Sequence, residues 1–489
     1  MGTKHYTLGT LSYTSSGLSL LFIWLLWGDF CVSLMEAVIP NVFPLKLKSL
    51  GCSATLISVF LTTLPGVAML FWNPIIATWS DRHRGRWGRR IPFLLAGAPC
   101  MALILVGIGW CDPIGGLLTR FTGGALPAAT ATIGVLMVLV LLFNLCNSFV
   151  LHPYYSLFND TVPREVMGRF GMFLRVVSTV GIAAFNFWIF PHAETHYREI
   201  FVGVGIIFAA AYALMCFNVK EGDYPPPPPP PATRSLTGFV TTYFRECFGH
   251  PFYWYIGLAS AFTVVGNAAM PFILLMNKSL GLDLKQIGWI SGYAALISLP
   301  VYAITGLVID RMNVVKTFFY GRIAQTTISA CFLIYLFVDL SPRQVLVVTV
   351  ILNLAMLVVT AVMMVQLVPM GMRLMPRERY GQFNSAVSVV VGISSIFAGF
   401  LMGGFIDLMR WVHHGSDFAY RYAPVWLAVF YGAATYFQYR ITRYVRGCCG
   451  DDLNAFVPPD TIAKSSAAGE KKRCIPESQT TGTGNSEET

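Results

Sequence analysis

The sequence has little charge for its length, since Asp, Glu, Lys and Arg make up only 12% of its 489 residues. A soluble domain carries about 25% charged residues, which it needs to cover its surface. A soluble globular protein is therefore excluded. The sequence also lacks a Gly-rich phosphate loop followed by Lys and Ser/Thr, so ATP-driven transport has no support. Its eleven cysteines show no spacing typical of disulfides or zinc, and we expect no metal and no cofactor.

Long apolar runs are abundant instead. Hydrophobic residues make up 55% of the chain, and stretches of about 20 apolar residues, enough to cross a bilayer, recur along it. We predict an all-α integral membrane protein whose first apolar segment inserts as a helix and is not cleaved. The twelve predicted spans are 17–40, 53–79, 91–111, 128–152, 170–190, 199–218, 252–276, 284–309, 316–338, 344–369, 381–408 and 422–444.

Basic residues divide unevenly between the two sides of the membrane. The N-terminus, the even-numbered loops and the C-terminal tail hold 24 of the 34 Lys and Arg residues, and the odd-numbered loops hold nine. Because basic loops resist translocation, both termini are predicted to be cytoplasmic. The net charge of +10 follows from this topology and does not indicate nucleic-acid binding. The expected location is the plasma or inner membrane of the cell, with the lipid bilayer as the surrounding partner.

The chain contains an internal repeat on either side of a proline-rich divide. Seven consecutive prolines, Pro225–Pro231, predict a stiff spacer between spans six and seven. Across this divide "VPREVMGRF" at 162–170 matches "MPRERYGQF" at 375–383, so that Arg164 and Glu165 recur as Arg377 and Glu378. Both segments fall at the same topological place in their half.

A second, weaker pair supports the same repeat, since Asp81 and Arg82 after span two match Asp310 and Arg311 after span eight. Two six-span halves related by an axis along the membrane normal are the architecture of major facilitator transporters. The predicted domains are an N-terminal half at 1–218, a cytoplasmic central loop at 219–250, a C-terminal half at 251–446 and a disordered cytoplasmic tail at 447–489.

The loop after span two resembles a known family. "PIIATWSDRHRGRWGRRIPFLLAGA", at 74–98, is similar to the corresponding loop of the plant sucrose:proton symporters and their relatives, the glycoside–cation symporter branch of the major facilitator superfamily. "HPYYSLFND", at 152–160, resembles the same branch at the end of helix four. The resemblance implies a transporter that moves a sugar or glycoside by alternating access.

The resemblance also implies a conformational latch at this loop. Asp81 can accept hydrogen bonds from a helix N-terminus, and Arg89 and Arg90 can pair with carboxylates. Contacts that form in one state and break in the other bias a two-state hinge. The alternative is that the arginines only set topology. With their repeat partners, the predicted latch residues are Asp81, Arg82, Gly88, Arg89, Arg90, Asp160, Arg164, Glu165, Asp310, Arg311, Arg377 and Glu378.

Ionisable residues inside spans are costly in hydrocarbon and usually face a transport pathway. Asp29 and Glu36 lie almost two helical turns apart, so they project from one face of span one at a separation of about 10 Å. This spacing favours a water-filled cavity over a packed position. Arg175 in span five either lines that cavity or snorkels to the cytoplasmic surface. His152 is a candidate proton relay, or else an interfacial histidine.

Neutral amide side chains inside spans are candidate sugar contacts, because sugar hydroxyls need paired donors and acceptors. For each of them the alternative is packing between helices. The candidates are Asn144, Asn147, Gln325, Asn353 and Gln366.

A proton is the expected coupling ion. Sodium-coupled melibiose carriers resemble this chain around "WNPIIATWSDRHRGRWG", but they place two acids on helix two where this sequence has Met69 and Asn73. Sodium needs several hard oxygen ligands, whereas a proton needs one carboxylate, such as Asp29, beside a cation. We therefore expect proton-coupled sugar symport by a monomer that is not an enzyme. Alternatives left open are a carrier for another small polar solute, an uncoupled uniporter, an integral membrane enzyme and a transporter-like receptor.

Overall fold

The computed structural model describes residues 6–8, 10–223, 244–376, 379–450, 452–453 and 456–459, and for residues 77, 78 and 310 it describes the backbone only. Several predicted features lie outside the described residues: the polyproline segment, Arg377, Glu378, the side chain of Asp310 and the predicted tail from residue 460 onward.

Twelve long helical segments, α1 to α12, make up most of the described chain. Ten are long and apolar enough to cross a membrane; α9 and α12 fall outside that group, and they carry Lys and Arg side chains within the helix. Each of the twelve overlaps one predicted span, and the predicted all-α membrane fold is confirmed. In chain order they are Ser15–Ser49, Ala54–Arg82, Ile91–Gly109, Ala128–Thr161, Arg164–His192, Tyr197–Asn218, Pro251–Ser279, Leu284–Val308, Val314–Cys331, Pro342–Leu374, Tyr380–Val412 and Ala423–Cys449.

Two helices extend well beyond the predicted boundaries because they continue through prolines. α1 passes Pro40 and Pro44 and ends at Ser49, and α4 passes Pro153 and ends at Thr161. Prolines are tolerated in membrane helices because neighbouring helices and local adjustments satisfy the freed backbone groups. In these two helices, therefore, a proline does not mark the end of the membrane span.

The helices form two halves with matching internal contacts. In the N-terminal half α1 packs on α5 and α6, and α3 packs on α4 and α6. In the C-terminal half α7 packs in the same way on α11 and α12, and α9 packs on α10 and α12. Between the halves α2 packs against α11, and α5 packs against α8. The six-plus-six repeat predicted from the sequence is thus present in three dimensions.

Short elements mark one face of the bundle. Strands β1, Tyr6–Leu8, and β2, Leu11–Tyr13, form an antiparallel hairpin before α1. The Asp223 backbone N–H donates to the Thr10 hydroxyl at 2.9 Å, so the hairpin lies beside the end of α6. We call this side, with the hairpin, the 83–90 loop, residues 219–223, residues 452–453 and residues 456–459, the basic face. The other side is the opposite face. The predicted orientation makes the basic face cytoplasmic.

The C-terminal segment is ordered further than predicted. α12 runs to Cys449, and the side chains of Leu453 and Phe456 beyond it are buried. The Tyr253 hydroxyl of α7 donates to the Pro459 carbonyl at 2.8 Å. These contacts place the start of any disordered tail later than residue 447, because apolar side chains after α12 pack back onto α7.

Candidate functional site

Asp29 lies buried in the middle of α1, with only 2% of its surface exposed. The Ser178 hydroxyl of α5 donates a hydrogen bond to its carboxylate. Arg175, one turn before Ser178 on α5, lies within electrostatic range of the same carboxylate. The packing of α1 on α5 therefore supplies the buried acid with both a hydrogen-bond donor and a cation.

Glu36 lies further along α1 and is exposed. Its side chain lies beside Asn147 of α4 and within electrostatic range of Asp29. Tyr155, also on α4, is 43% exposed and lies within range of both acids and of Arg175. We call Asp29, Glu36, Asn147, Tyr155, Arg175 and Ser178 the acid cluster.

Arg175 connects the acid cluster to the other half of the molecule. Its guanidinium lies over the ring of Tyr302 on α8, 5.1 Å from the centroid. Since Tyr302 belongs to the C-terminal half, this cation–π contact spans the boundary between the halves. Arg175 therefore lies beside both the acid cluster and α8, and its predicted role in lining a transport cavity stays a prediction.

The other predicted polar residues do not all join this cluster. Asn144 and Asn353 donate to the backbone carbonyls of Val140 and Thr349 in their own helices, both at 2.8 Å. Asn353 also lines a cleft of about 390 Å³ between α8 and α10. His152 is half-buried on α4, one turn before Tyr155. These positions agree with helix packing at least as well as with sugar contacts.

The core of the C-terminal half contains a buried cation that the sequence analysis missed. Arg322 lies inside α9, within the predicted span 316–338, and only 7% of its surface is exposed. Its guanidinium donates to the Gln325 side chain at 2.9 Å and lies over the Phe318 ring at 5.2 Å. Among the described residues no carboxylate pairs with it. The signal was present in the sequence, since Arg322 and Gln325 lie one turn apart and therefore on one helix face.

Gln366 completes the predicted set. It is fully buried on α10, and neither atom of its amide group has a hydrogen-bond partner among the described residues. Gln325 and Gln366 therefore both lie in the C-terminal half, whereas the acid cluster lies in the N-terminal half.

On the basic face, the predicted latch residues form a network inside the N-terminal half. Arg89 binds both oxygens of Asp160, at 2.9 and 2.5 Å. Arg90 is buried and donates to Asp160 at 3.2 Å, to Ser80 at 2.6 Å and to Asp81. Bidentate Arg–carboxylate pairs of this kind hold the end of α2, the end of α4 and the start of α3 together.

Glu221 is a further member of this network that was not predicted. Its carboxylate accepts hydrogen bonds from the backbone N–H groups of Arg89 at 2.9 Å and of Arg90 and Ile91 at 2.7 Å. It thereby caps the N-terminus of α3. Gly88 has φ +97°, and a Cβ there would overlap the Glu221 side chain, so glycine is required at this turn.

The remaining described latch residues are on the surface. Arg82, Arg164, Glu165 and Arg311 are exposed. On this face the ion pairs of the described chain join residues within one half: Arg89 and Arg90 to Asp160, Arg90 to Asp81, and Arg379 to Glu246. In this conformation Asp81 pairs with Arg90 of its own half. A latch contact between Asp81 and the other half would therefore form in a different conformation.

The opposite face is held shut by contacts between the halves. Asp407 of α11 accepts hydrogen bonds from the backbone N–H groups of Ala54 at 2.8 Å and Thr55 at 2.9 Å, in the first turn of α2. A Cβ at Gly403 would overlap the Thr55 backbone, so only glycine permits this approach. We call this contact between α2 and α11 the outer seam.

Two ion pairs at the ends of helices on the opposite face also join the halves. Lys48 binds Asp417 at 2.6 Å, and Lys278 pairs with Glu194. With the basic face cytoplasmic, a molecule closed at the opposite face is inward-facing.

Comparison with known proteins identifies the family. A model of the Major Facilitator Superfamily matches residues 25–399. The chain belongs to the Major Facilitator Superfamily. Its fold and family place it among transporters rather than enzymes.

One relative with a curated name is Sucrose transport protein SUC4 of Arabidopsis thaliana, 25% identical over 238 residues. That alignment covers 44% of this chain and 46% of the relative, so the chain spans about half of its length.

Solved structures show the same fold at low identity. A D-xylose-proton symporter matches with a TM-score of 0.58 and 13% identity, over 92% of this chain and 99% of its own. A bacterial homologue of the iron transporter ferroportin in its inward-facing state matches with a TM-score of 0.61 and 13% identity, over 87% and 98% of the two chains. The outward-facing state of the ferroportin homologue gives 0.54, at 14% identity over 87% and 99% of the chains.

Proposed function

We propose that this transporter couples the movement of a sugar to that of a proton, and that Asp29 carries the proton. The observation that carries the proposal is the setting of Asp29: a carboxylate buried in a membrane helix, with Ser178 as donor and Arg175 as the neighbouring cation. A carboxylate in such a place is a functional site by default, because burial penalises its charge.

The geometry supports a link between protonation and the relative position of the halves. Charged Asp29 attracts Arg175, and a protonated Asp29 loses most of this attraction. Arg175 then stays in contact with Tyr302 on α8 or turns to a bound solute. Because leaving a buried charge unpaired is costly, the proton on Asp29 and the position of Arg175 should change together. The contact between α5 and α8 would thereby report the protonation state to the other half.

The sugar is proposed to bind beside this pair. Glu36, Asn147 and Tyr155 lie close together on α1 and α4 and offer carboxylate, amide and hydroxyl groups. Sugar hydroxyls both donate and accept hydrogen bonds, and this set supplies both kinds of partner. An aromatic ring such as that of Tyr155 also provides an apolar surface for a sugar face.

The comparisons support a sugar only in a general way. The names of two similar proteins specify sucrose and a D-xylose–proton pair, whereas that of the ferroportin homologue specifies iron. The two sugar-related names, together with the loop at 74–98, favour a sugar. Proton coupling rests on the acid cluster itself, since Met69 and Asn73 bring no carboxylate to α2 for a sodium ion.

The test begins with a thermal-shift panel of sugars on the purified protein, which selects the substrate. That sugar is then added to cells in a sodium-free medium. Cells that contain the wild-type protein should alkalinise the medium, because each sugar enters together with a proton. The Asp29→Asn variant should give no alkalinisation. Asp283→Asn is the matched control, because Asp283 caps α8 and Asn caps helices equally well.

The outcomes separate the alternatives. Alkalinisation in the Asp29→Asn variant would reject Asp29 as the proton carrier. Uptake that requires sodium would reject proton coupling. Uptake without any alkalinisation in the wild type would identify an uncoupled carrier, and a panel with no stabilising sugar would indicate another polar solute.

A further inference from the structure

A cavity of about 610 Å³ opens on the basic face, away from the acid cluster. One wall is the loop from Arg84 to Gly88 with the start of α3, and the other is the end of α6 with residues 219–223. Nothing in sugar–proton coupling requires this cavity. Its position at the ends of two membrane helices places it where lipid headgroups lie.

The rim of the cavity is basic. Arg84, Arg86 and Lys220 line it, and all three are exposed. Arg84 is positioned by two hydrogen bonds to the carbonyls of Asp81 and His83, both at 2.8 Å. Arg86 and Lys220 form no ion pair among the described residues. Two cations on opposite walls of one cavity are therefore available to an anion.

Two acidic residues, Glu221 and Asp223, also line the cavity, and they differ in how far they neutralise its basic residues. The Glu221 carboxylate accepts three backbone N–H groups at the N-terminus of α3, so its charge is matched by that helix end. Asp223 is exposed at the edge. The interior of the cavity between Arg86 and Lys220 thus keeps a net positive charge.

The other surfaces of the cavity are apolar. Ile91 and Leu95 of α3 and Cys216 of α6 form the inner wall. Trp87 and Phe217 stand at the rim with 61% and 71% of their surface exposed. Aromatic rings of this kind are enriched at the boundary between headgroups and acyl chains. A soluble anion would make no use of these rings, whereas a lipid would cover them.

We propose that this cavity binds the headgroup of an anionic phospholipid. The phosphate lies between Arg86 and Lys220, and the glycerol and first acyl carbons lie against Trp87 and Phe217. Basic pockets between membrane helices on the cytoplasmic side bind anionic headgroups by the same chemistry.

The test uses the full-length protein in nanodiscs with brominated lipids, which quench nearby tryptophans. The signal of Trp87 is the difference between the wild type and Trp87→Phe. Brominated phosphatidylglycerol should quench this signal at lower mole fraction than brominated phosphatidylcholine. In Arg86→Gln/Lys220→Gln the preference should fall on the order of fivefold for each cation removed.

Arg443→Gln/Arg446→Gln is the matched control, because both residues are exposed at the end of α12 on the same face. It should keep the full preference. Equal quenching by both lipids, or an unchanged preference in Arg86→Gln/Lys220→Gln, would overturn the proposal. Loss of the preference when inorganic phosphate replaces chloride at equal ionic strength would assign the cavity to a small anion instead.

Discussion

The two halves share one pattern of helix packing but differ in the charges inside their cores. The N-terminal half holds Asp29 and Glu36, with Arg175 as the cation. The C-terminal half holds Arg322, whose described contacts are a glutamine and an aromatic ring. Asp407, a carboxylate on α11, caps α2 at the opposite face and not at the core. The two halves thus share their helix packing but not the chemistry of their cores, and the proposed proton coupling rests on the N-terminal half.

The largest expected effect is at the cation of the N-terminal core. Arg175→Gln leaves the buried Asp29 without a neighbouring cation, which disfavours the charged form of its carboxylate. We expect coupled uptake to fall on the order of 100-fold, with partial recovery in Arg175→Lys. Proteoliposome uptake under a pH gradient measures this. Arg169→Gln, an exposed arginine near the start of α5, is the control. Wild-type uptake by Arg175→Gln would remove Arg175 from the mechanism.

The next largest effect is expected at the outer seam, where α2 and α11 join the two halves. Leucine at Gly403 would overlap the Thr55 backbone and prevent closure of the opposite face. Overpacking costs about 1–3 kcal/mol, a shift of roughly 5- to 150-fold in a two-state equilibrium. We expect transport to fall accordingly while the protein still inserts and folds.

The neighbouring glycine provides a matched control for that variant. A Cβ at Gly404 would meet nothing within 4 Å, so Gly404→Leu should transport normally. Labelling of a cysteine placed at Ser58 from the opposite face should rise in Gly403→Leu. Equal labelling in the two variants would show that the outer seam does not gate that face.

A smaller effect on transport is expected at the ion-pair network on the basic face of the N-terminal half. Asp81 pairs with Arg90, but its side chain is 59% exposed. Such a pair contributes about 0.2–1 kcal/mol, so Asp81→Asn should barely change thermal stability. If Asp81 acts as a latch in the other state, transport should nevertheless fall about tenfold. Normal transport at normal expression would reduce the loop to a topology signal.

The smallest effect on coupling is expected in the C-terminal core. Arg322→Met removes the donor to Gln325, and an unpaired buried polar group costs about 1–3 kcal/mol of stability. Arg322→Met/Gln325→Leu should regain most of that stability, because both polar partners are then gone. The number of protons moved per sugar should stay unchanged in both variants. A lost proton flux in Arg322→Met would contradict the assignment of coupling to the N-terminal half.

The sequence was sufficient for features that depend on local pattern. Twelve apolar runs predicted twelve helices, and the seven-residue spacing of Asp29 and Glu36 predicted one helix face. The motif resemblance also singled out Arg89, Arg90 and Asp160, which the structure brings into contact. These predictions need no knowledge of which helices pack together.

Features that depend on packing between helices were not predictable. Ser178 and Tyr155 join the acid cluster only because α5 and α4 pack beside α1. Glu221 and Asp407 each cap a helix that is distant in sequence. Arg322 lies inside the predicted span 316–338, but it was not among the candidate residues. No periodicity in one segment indicates which other segment it will meet.

The most direct test of the central claim is the steady-state sugar gradient in proteoliposomes without sodium and without a membrane potential. With one proton moved per sugar, a pH gradient of one unit should sustain about tenfold accumulation. The wild type and Arg322→Met/Gln325→Leu should both approach this ratio. Asp29→Asn should exchange labelled sugar but equilibrate at a ratio of about one. Accumulation by Asp29→Asn to the wild-type ratio would contradict the account.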